Sequence, residues 1–273
     1  MIEYDKKYGL YERRIRMTKT GIRMILCDVD GTLLEKGCAT ISKDVTNAIQ
    51  YATDNGIHFV IASGRCYSDL CLLFSELKER VTFVASDGGV VVQNGQTLYT
   101  SAISKKSVQL LFDSINEGGQ MHCVIYTKDD VYTIGSPLCN LPNKAISSLQ
   151  EVYGNIYKVA FYNLSDSVAY KVTSRANKSM EYLNIYRDSL WIEFVASKTD
   201  KGSACRVLQN QFNISPSETV AFGDNVNDYG MLRCAQYTYA SSTAVPDIKR
   251  MCKFTSANIP NEIMKLSQER GTL

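Results

Sequence analysis

Short apolar runs alternate with amphipathic stretches along this chain, and the alternation predicts its elements in order. Met24-Ile25-Leu26-Cys27 is unbroken and ends at Asp28-Val29-Asp30-Gly31, which reads as a buried strand running into a turn. Ser42 can cap a helix whose apolar face is Val45, Ala48, Ile49 and Ala52, stopped by Asn55-Gly56. A strand over 57–62 ends at Ser63-Gly64-Arg65. A second helix, with Leu70, Leu73, Phe74 and Leu77 on one face, leads to a strand over 81–85 that ends at Ser86-Asp87-Gly88-Gly89. Strand, helix, strand, helix, strand with short links predicts the α/β class, a parallel sheet with right-handed crossovers.

The texture changes at Val90. Two strand-like runs flank Asn94-Gly95, a hairpin signal. A helix over 106–115, strands over 123–126 and 131–134, a helix over 143–152 and a strand over 157–162 follow. A polar helix over 167–180 then precedes strands over 182–186 and 191–195. This is an α+β insertion, expected to span 89–196. The first pattern resumes at Thr199-Asp200-Lys201-Gly202, where Thr199 or Asp200 can cap a helix bearing Ala204, Val207, Leu208 and Phe212 on one face. The strand over 219–223 ends in Asp224-Asn225-Val226-Asn227-Asp228. Met231 and Leu232 begin another short helix, and 237–240 and 253–255 read as edge strands. The predicted organisation is an extension over 1–20, a discontinuous core over 21–88 and 197–273, and the insertion between them.

Composition narrows the function. The 273 residues are 45% apolar and 21% charged, which is globular and gives a disordered reading no support. A net charge of +2 with no recurring basic stripe speaks against nucleic-acid or membrane partners. The absence of an 18-residue apolar run and of a signal-peptide core gives a soluble, cytoplasmic expectation. The nine cysteines are scattered with no Cys-x-x-Cys pair, and His58 and His122 lack ligand spacing, so zinc is unsupported.

The chemistry lies where strands end. Asp28, Asp30, Ser63, Lys201, Asp224, Asn227 and Asp228 all fall at such ends or at the following helix start, where open parallel sheets bind ligands. At least three carboxylates in one crevice repel unless a cation lies among them. Oxygen ligands without His or Cys select a hard ion, Mg²⁺ foremost. A cation, a lysine and a small hydroxyl suit a tetrahedral phosphoryl group. An ionised aspartate beside Mg²⁺ is a competent nucleophile, and a second aspartate two residues on can act as general acid and base. Taken singly, each piece also reads plainly as an acidic turn, a helix cap or a solvated lysine. Their succession in order at successive strand ends favours function.

With these motifs the chain resembles the haloacid dehalogenase superfamily of phosphohydrolases, and within it the Cof-type, class IIB branch. The matches are Asp28-Val29-Asp30-Gly31-Thr32-Leu33, Ala62-Ser63-Gly64-Arg65, Asp200-Lys201-Gly202 and Gly223-Asp224-Asn225-Val226-Asn227-Asp228, and the resemblance covers roughly 22–240. It implies a Rossmann-like core with an inserted α+β cap. It implies Asp28 as nucleophile and Asp30 as general acid/base. It puts Mg²⁺ on Asp28, the main-chain carbonyl of Asp30 and Asp224, with Asn227 and Asp228 holding the metal shell. Ser63, Gly64, Arg65, Lys201 and Asn227 are implied around the phosphoryl group. Two regions depart from the Cof-type pattern: Asp87-Gly88-Gly89 stands where Asn-Gly-Ala is usual, and beyond Tyr239 the two usual segments are replaced by Ser241-Ser242-Thr243-Ala244 and Ile259-Pro260-Asn261-Glu262. Both bear on substrate identity more than on the reaction.

The expectation is a Mg²⁺-dependent phosphatase acting through phospho-Asp28 on a small phosphorylated metabolite, a sugar phosphate first. Its alternatives are a phosphomutase of the same superfamily and a signalling module that keeps phospho-Asp28 as a message. Trp191 and Glu193, on one face of the last insertion strand, and the Asp87-Gly88-Gly89 junction are the expected selectivity contacts, with Trp191 reading equally well as a side chain packed between cap and core.

Overall fold

The structure is a computed structural model that describes residues 21–35, 38–116, 122–135, 143–179, 183–187 and 191–268. The extension expected over 1–20 lies outside the described residues. The first part of the chain forms β1 (Met24–Cys27), α1 (Lys43–Asp54), β2 (His58–Ala62), α2 (Tyr67–Leu73), β3 (Thr82–Ala85), β4 (Val90–Gln93) and β5 (Gln96–Thr100). The middle forms α3 (Lys105–Asn116), β6 (Cys123–Tyr126), β7 (Val131–Ile134), β8 (Lys144–Ala145), β9 (Lys158–Tyr162), α4 (Asp166–Ser179), β10 (Leu183–Arg187) and β11 (Trp191–Ala196). The last part forms α5 (Lys201–Phe212), β12 (Thr219–Gly223), α6 (Tyr229–Leu232), β13 (Tyr237–Ser241), α7 (Pro246–Met251), β14 (Phe254–Ser256) and α8 (Ile259–Gln268).

These elements build an α/β core whose eight-stranded sheet has the order β14-β13-β12-β1-β2-β3-β4-β5. Pairing is parallel from β14 to β3 and antiparallel through β4 and β5. β1 lies inside the sheet and is buried on both faces. Ile25 and Cys27 pack with α1 and α8, and Met24 and Leu26 with α5 and α6. That two-sided burial is why the run shows no polar alternation. The Ser42 hydroxyl accepts from Val45 N and caps α1, and Val45, Ala48, Ile49 and Ala52 are all buried.

The second sheet, β10-β11-β9-β6-β7-β8, roofs the crevice as an α+β cap. Strand alternation divides its residues. Ile125, Val159, Phe161, Ile192 and Phe194 share a core with α3 and α4. Val124, Tyr126, Ala160, Tyr162 and Trp191 lie on the other face and pack around Cys66, which comes from the loop after β2. The cap therefore rests on the core through one side of its sheet. The two crossings between core and cap meet where the Thr199 hydroxyl donates to the Ser101 hydroxyl at 2.6 Å.

Three expectations need correction. The hairpin assigned to an insertion beginning at 89 pairs instead with β3, Val84 opposite Val91, so the second sheet takes only strands that follow Thr100. A hairpin's own sequence does not say which sheet edge it will join. β13 is an interior strand, with β14 outside it. The helix expected over 143–152 is instead the short strand β8 and a single turn at Leu149–Glu151. There the Glu151 carboxylate accepts from the backbone N–H groups of Ser147 and Ser148, a local bond that competes with helix.

One close approach fixes the core beside the site. A Cβ on Gly202 of α5 would overlap the backbone of Gly230 in α6. Gly202→Ala is expected to cost about 1–3 kcal/mol through overpacking and to lower the unfolding midpoint. An unchanged midpoint in urea or heat would contradict that contact.

Candidate active site

β1 and β12 are parallel neighbours in register, Cys27 opposite Phe222, and the chain proceeds outward from them in both directions. A crevice opens beyond the carboxyl ends of strands at such a point. Asp28 and Asp224 are the first residues past those two ends, so sheet register alone brings them together. Asp28 N donates to Phe222 O at 3.0 Å and holds the loop in place. The loop then turns at Gly31, whose φ is +94° and where a Cβ would overlap the Asp224 carboxylate. Only glycine lets the two loops run this close.

Lys201 enters from α5. Asp200 is the cap of that helix, accepting from Ser203 N at 2.6 Å while Asp200 N donates to the Ser203 hydroxyl. This places Lys201 in the first turn, where the helix dipole opposes its charge. Two carboxylates offset that cost. Lys201 Nζ donates to Asp28 Oδ1 at 2.5 Å and to Asp228 Oδ1 at 2.7 Å, with all three side chains buried. Asp228 Oδ2 accepts from the backbone N–H of Asp224 at 2.9 Å and of Asn225 at 3.1 Å. Asp228 thus pins the loop that carries Asp224, and both its oxygens are engaged.

Burial and next the Asp228 carboxylate push the Asp28 carboxyl well above the usual carboxylate range, and Lys201 only partly offsets them. Burial works against the Lys201 charge as well, but Asp228 and Asp28 outweigh it and hold the ammonium well above its usual range. Asp28 Oδ2 is buried with no hydrogen-bond partner among the described residues. One oxygen each from Asp28, Asp224 and Asp228 lies within 4.8 Å of the others. Three acids against one ammonium, with an unpartnered buried oxygen among them, fit a hard divalent cation held by oxygen ligands.

A cavity of about 480 Å³ opens above, walled by Asp28, Asp30, Arg65, Asp224 and Asn227 from the core. Arg65 donates to both Asp30 oxygens, Nε to Oδ2 at 2.9 Å and Nη2 to Oδ1 at 2.7 Å. Gly64 also lines the cavity. Ser63 is buried and its hydroxyl accepts from Arg65 N at 3.2 Å. Every site residue named from the sequence therefore lies in or against this crevice. Of the selectivity contacts, Glu193 and Asp87 line the cavity, whereas Trp191 packs on Tyr162 with ring centroids 5.0 Å apart.

Lys158 was not anticipated. This buried cap lysine donates to Gly64 O at 2.7 Å and to Asp87 Oδ2 at 3.2 Å, and meets Glu193 Oε1 at 3.2 Å. Its Nζ lies 4.8 Å from the centroid of the Tyr126 ring. Asp87 also accepts from Asn227 Nδ2 at 3.2 Å. Burial opposes ionisation of Asp87, but Lys158, Lys201 and these hydrogen bonds outweigh it and leave the carboxyl below its ordinary range. The available signal was a lone lysine in the apolar run Tyr157-Lys158-Val159-Ala160-Phe161-Tyr162.

Aspartates at the heads of two central parallel strands, a buried lysine against them and a sheet for a roof define a capped phosphohydrolase of the α/β class. The chain belongs to the haloacid dehalogenase-like hydrolase family, whose model matches residues 25–262. It is a phosphatase. It is 25% identical over 252 residues to the 5-amino-6-(5-phospho-D-ribitylamino)uracil phosphatase YbjI of Escherichia coli, covering 87% of this chain and 91% of that one. To the phosphatase YwpJ of Bacillus subtilis it is 26% identical over 264 residues, covering 84% and 92%. The solved structure of the subclass IIB sugar phosphatase BT4131 shares the fold with a TM-score of 0.76 at 20% identity, over 92% of this chain and all of that one. TM0651 of Thermotoga maritima does so with a TM-score of 0.77 at 20% identity, over 90% and 97%. Among the described residues no helix is long and apolar enough to cross a membrane.

The raised Asp28 carboxyl has a consequence for stability. A carboxyl whose folded pKa exceeds its unfolded value of about 3.9 destabilises the fold increasingly as pH rises between the two. In metal-free protein at pH 7, Asp28→Asn is therefore expected to raise the thermal midpoint, and that gain should shrink as pH falls toward 4. A lower midpoint for the variant in EDTA at pH 7 would contradict the charge balance described.

Proposed function

We propose that the chain is a Mg²⁺-dependent phosphomonoesterase that hydrolyses a small phosphorylated metabolite through a phospho-Asp28 intermediate. The observation that carries this reading is the state of Asp28, which is buried at the head of the crevice with one oxygen on Lys201 and the other without a partner among the described residues, beside two further carboxylates.

Asp28 attacks phosphorus, the ester P–O bond breaks, and the departing oxygen takes a proton from Asp30. Asp30 then takes a proton from water, which attacks phospho-Asp28 and releases inorganic phosphate. The fork between Asp30 and Arg65 must part for this to happen, and the freed guanidinium then turns to the phosphoryl oxygens. Lys201 and Ser63 bind the transferring group, with Gly64 and Asn227 lining the same wall. Asp28, the main-chain carbonyl of Asp30 and Asp224 would hold Mg²⁺. Asn227 and Asp228 would hold the metal shell, Asp228 by fixing the loop of Asp224. Bound there, the ion supplies charge neutralisation and alignment of the phosphoryl oxygens.

The substrate favoured is the phosphate ester of a hydroxylated carbon chain. One solved structure that shares the fold is a sugar phosphatase, and relatives from Escherichia coli and Bacillus subtilis act on a ribityl phosphate. Both leaving groups carry hydroxyls on the carbon chain next to the phosphate.

The test is phosphate release from hexose, pentose and polyol phosphates, FMN, pyridoxal phosphate and nucleotides. Release should require Mg²⁺, cease in EDTA and fall by about a thousandfold or more in Asp28→Asn. Turnover that survives this substitution would sink the mechanism. A requirement for a bisphosphate, without net phosphate release, would indicate a phosphomutase.

A further inference from the structure

The cap contributes three residues to the cavity wall, Tyr126, Lys158 and Glu193. Lys158 is the cation of that set, and it is fully committed. An ammonium has three N–H donors, and three oxygens lie within 3.2 Å of this one, those of Gly64, Asp87 and Glu193. Side-chain exposure of 5% for Lys158 and 3% for Asp87 leaves little solvent to screen their charges. Two carboxylates against one ammonium give this part of the wall an excess of negative charge. The other lining cation, Arg65, faces the core and is forked onto Asp30. Asp69, a further acid, adds to the same wall.

From this balance we infer that the Lys158–Asp87–Glu193 cluster determines specificity, selecting monophosphate esters whose leaving group is uncharged or carries an amino group. It rejects leaving groups bearing a second phosphate or a carboxylate. The inference rests on the phosphatase reading and narrows its substrate class. A hydroxyl or ammonium can donate to the Glu193 carboxylate, which is 26% exposed. A second phosphate would meet Glu193 and Asp87 with no cation to receive it, because Lys158 has no donor to spare. The same wall is ill suited to a phosphomutase, whose exchange passes through a bisphosphate.

Matched pairs test this: hexose, pentose and polyol monophosphates against the corresponding bisphosphates, and glucose 6-phosphate against glucosamine 6-phosphate. Binding is measured by calorimetry on Asp28→Asn protein with Mg²⁺, which retains the whole cap wall, and turnover is measured on the unsubstituted enzyme. The monophosphate is expected to bind at least about tenfold more tightly than its bisphosphate, and the amino sugar at least as tightly as the neutral one. Glu193→Gln, which removes a negative charge and breaks one Lys158 ion pair, should narrow the mono-to-bisphosphate gap to about threefold or less. Lys158→Met, which removes the ammonium between the two acids, should widen it. A bisphosphate bound as tightly as its partner, no binding by any pair, or the two variants moving the gap in the opposite senses would overturn the inference. If Lys158→Met does not fold, the unsubstituted wall and Glu193→Gln still decide. Selective binding without turnover would uphold this inference and sink the phosphatase mechanism.

Discussion

The site depends on one buried ammonium held between two carboxylates. Lys201 joins Asp28 at the end of β1 to Asp228 beyond β12, and so ties the first part of the chain to the last across 173 and 27 residues. A buried ion pair is weak evidence of stability, because removing the charges from water costs about as much as their attraction returns. Here it has a different role. Three acids and one base leave the crevice with an excess of negative charge, which folding alone does not relieve. The site is an incomplete electrostatic assembly, and a divalent cation with a phosphoryl ligand has the charge and oxygen chemistry to complete it.

The geometry around this pair follows from strand order. Parallel neighbours deliver their following loops to the same edge of the sheet, so Asp28 and Asp224 converge although 196 positions separate them in the chain. Two glycines then set the distances. Gly31 lets the first loop pass the Asp224 carboxylate, and Gly202 lets α5 lie against α6 so that Lys201 reaches inward. The Asp200 cap fixes where α5 begins, and with it the direction of Lys201.

Much of this was legible in the chain because its signals are local. β1, β6 and β7 were predicted with the bounds observed, since each is an uninterrupted run between turn-formers. The motif aspartates announced themselves by sitting directly after such runs. What escaped was non-local or a matter of local competition. The hairpin of β4 and β5 was recognisable, but its sheet was not, because strand choice is decided by pairing partners. The helix over 143–152 yielded to Glu151 binding the backbone of Ser147 and Ser148. Lys158 was missed because its partners lie 94 and 71 residues away and on another strand of the cap, and nothing beside it in sequence marks it as charged for a purpose. Trp191 read equally as a selectivity contact and as packing between cap and core, and alternation gave its face correctly. It packs on Tyr162, outside the cavity wall.

The bond between Ser101 and Thr199 sets a boundary condition on the architecture. The inserted segment leaves and re-enters the catalytic sheet at points a single hydrogen bond apart. To the rest of the chain it is a closed loop, and the entropy of closing a loop grows only slowly with its length. The catalytic part can accordingly accept segments of very different size and shape at this place with little penalty to its own folding. Such a junction lets the part that carries the aspartates and the part that roofs them fold as separate bodies joined at one point.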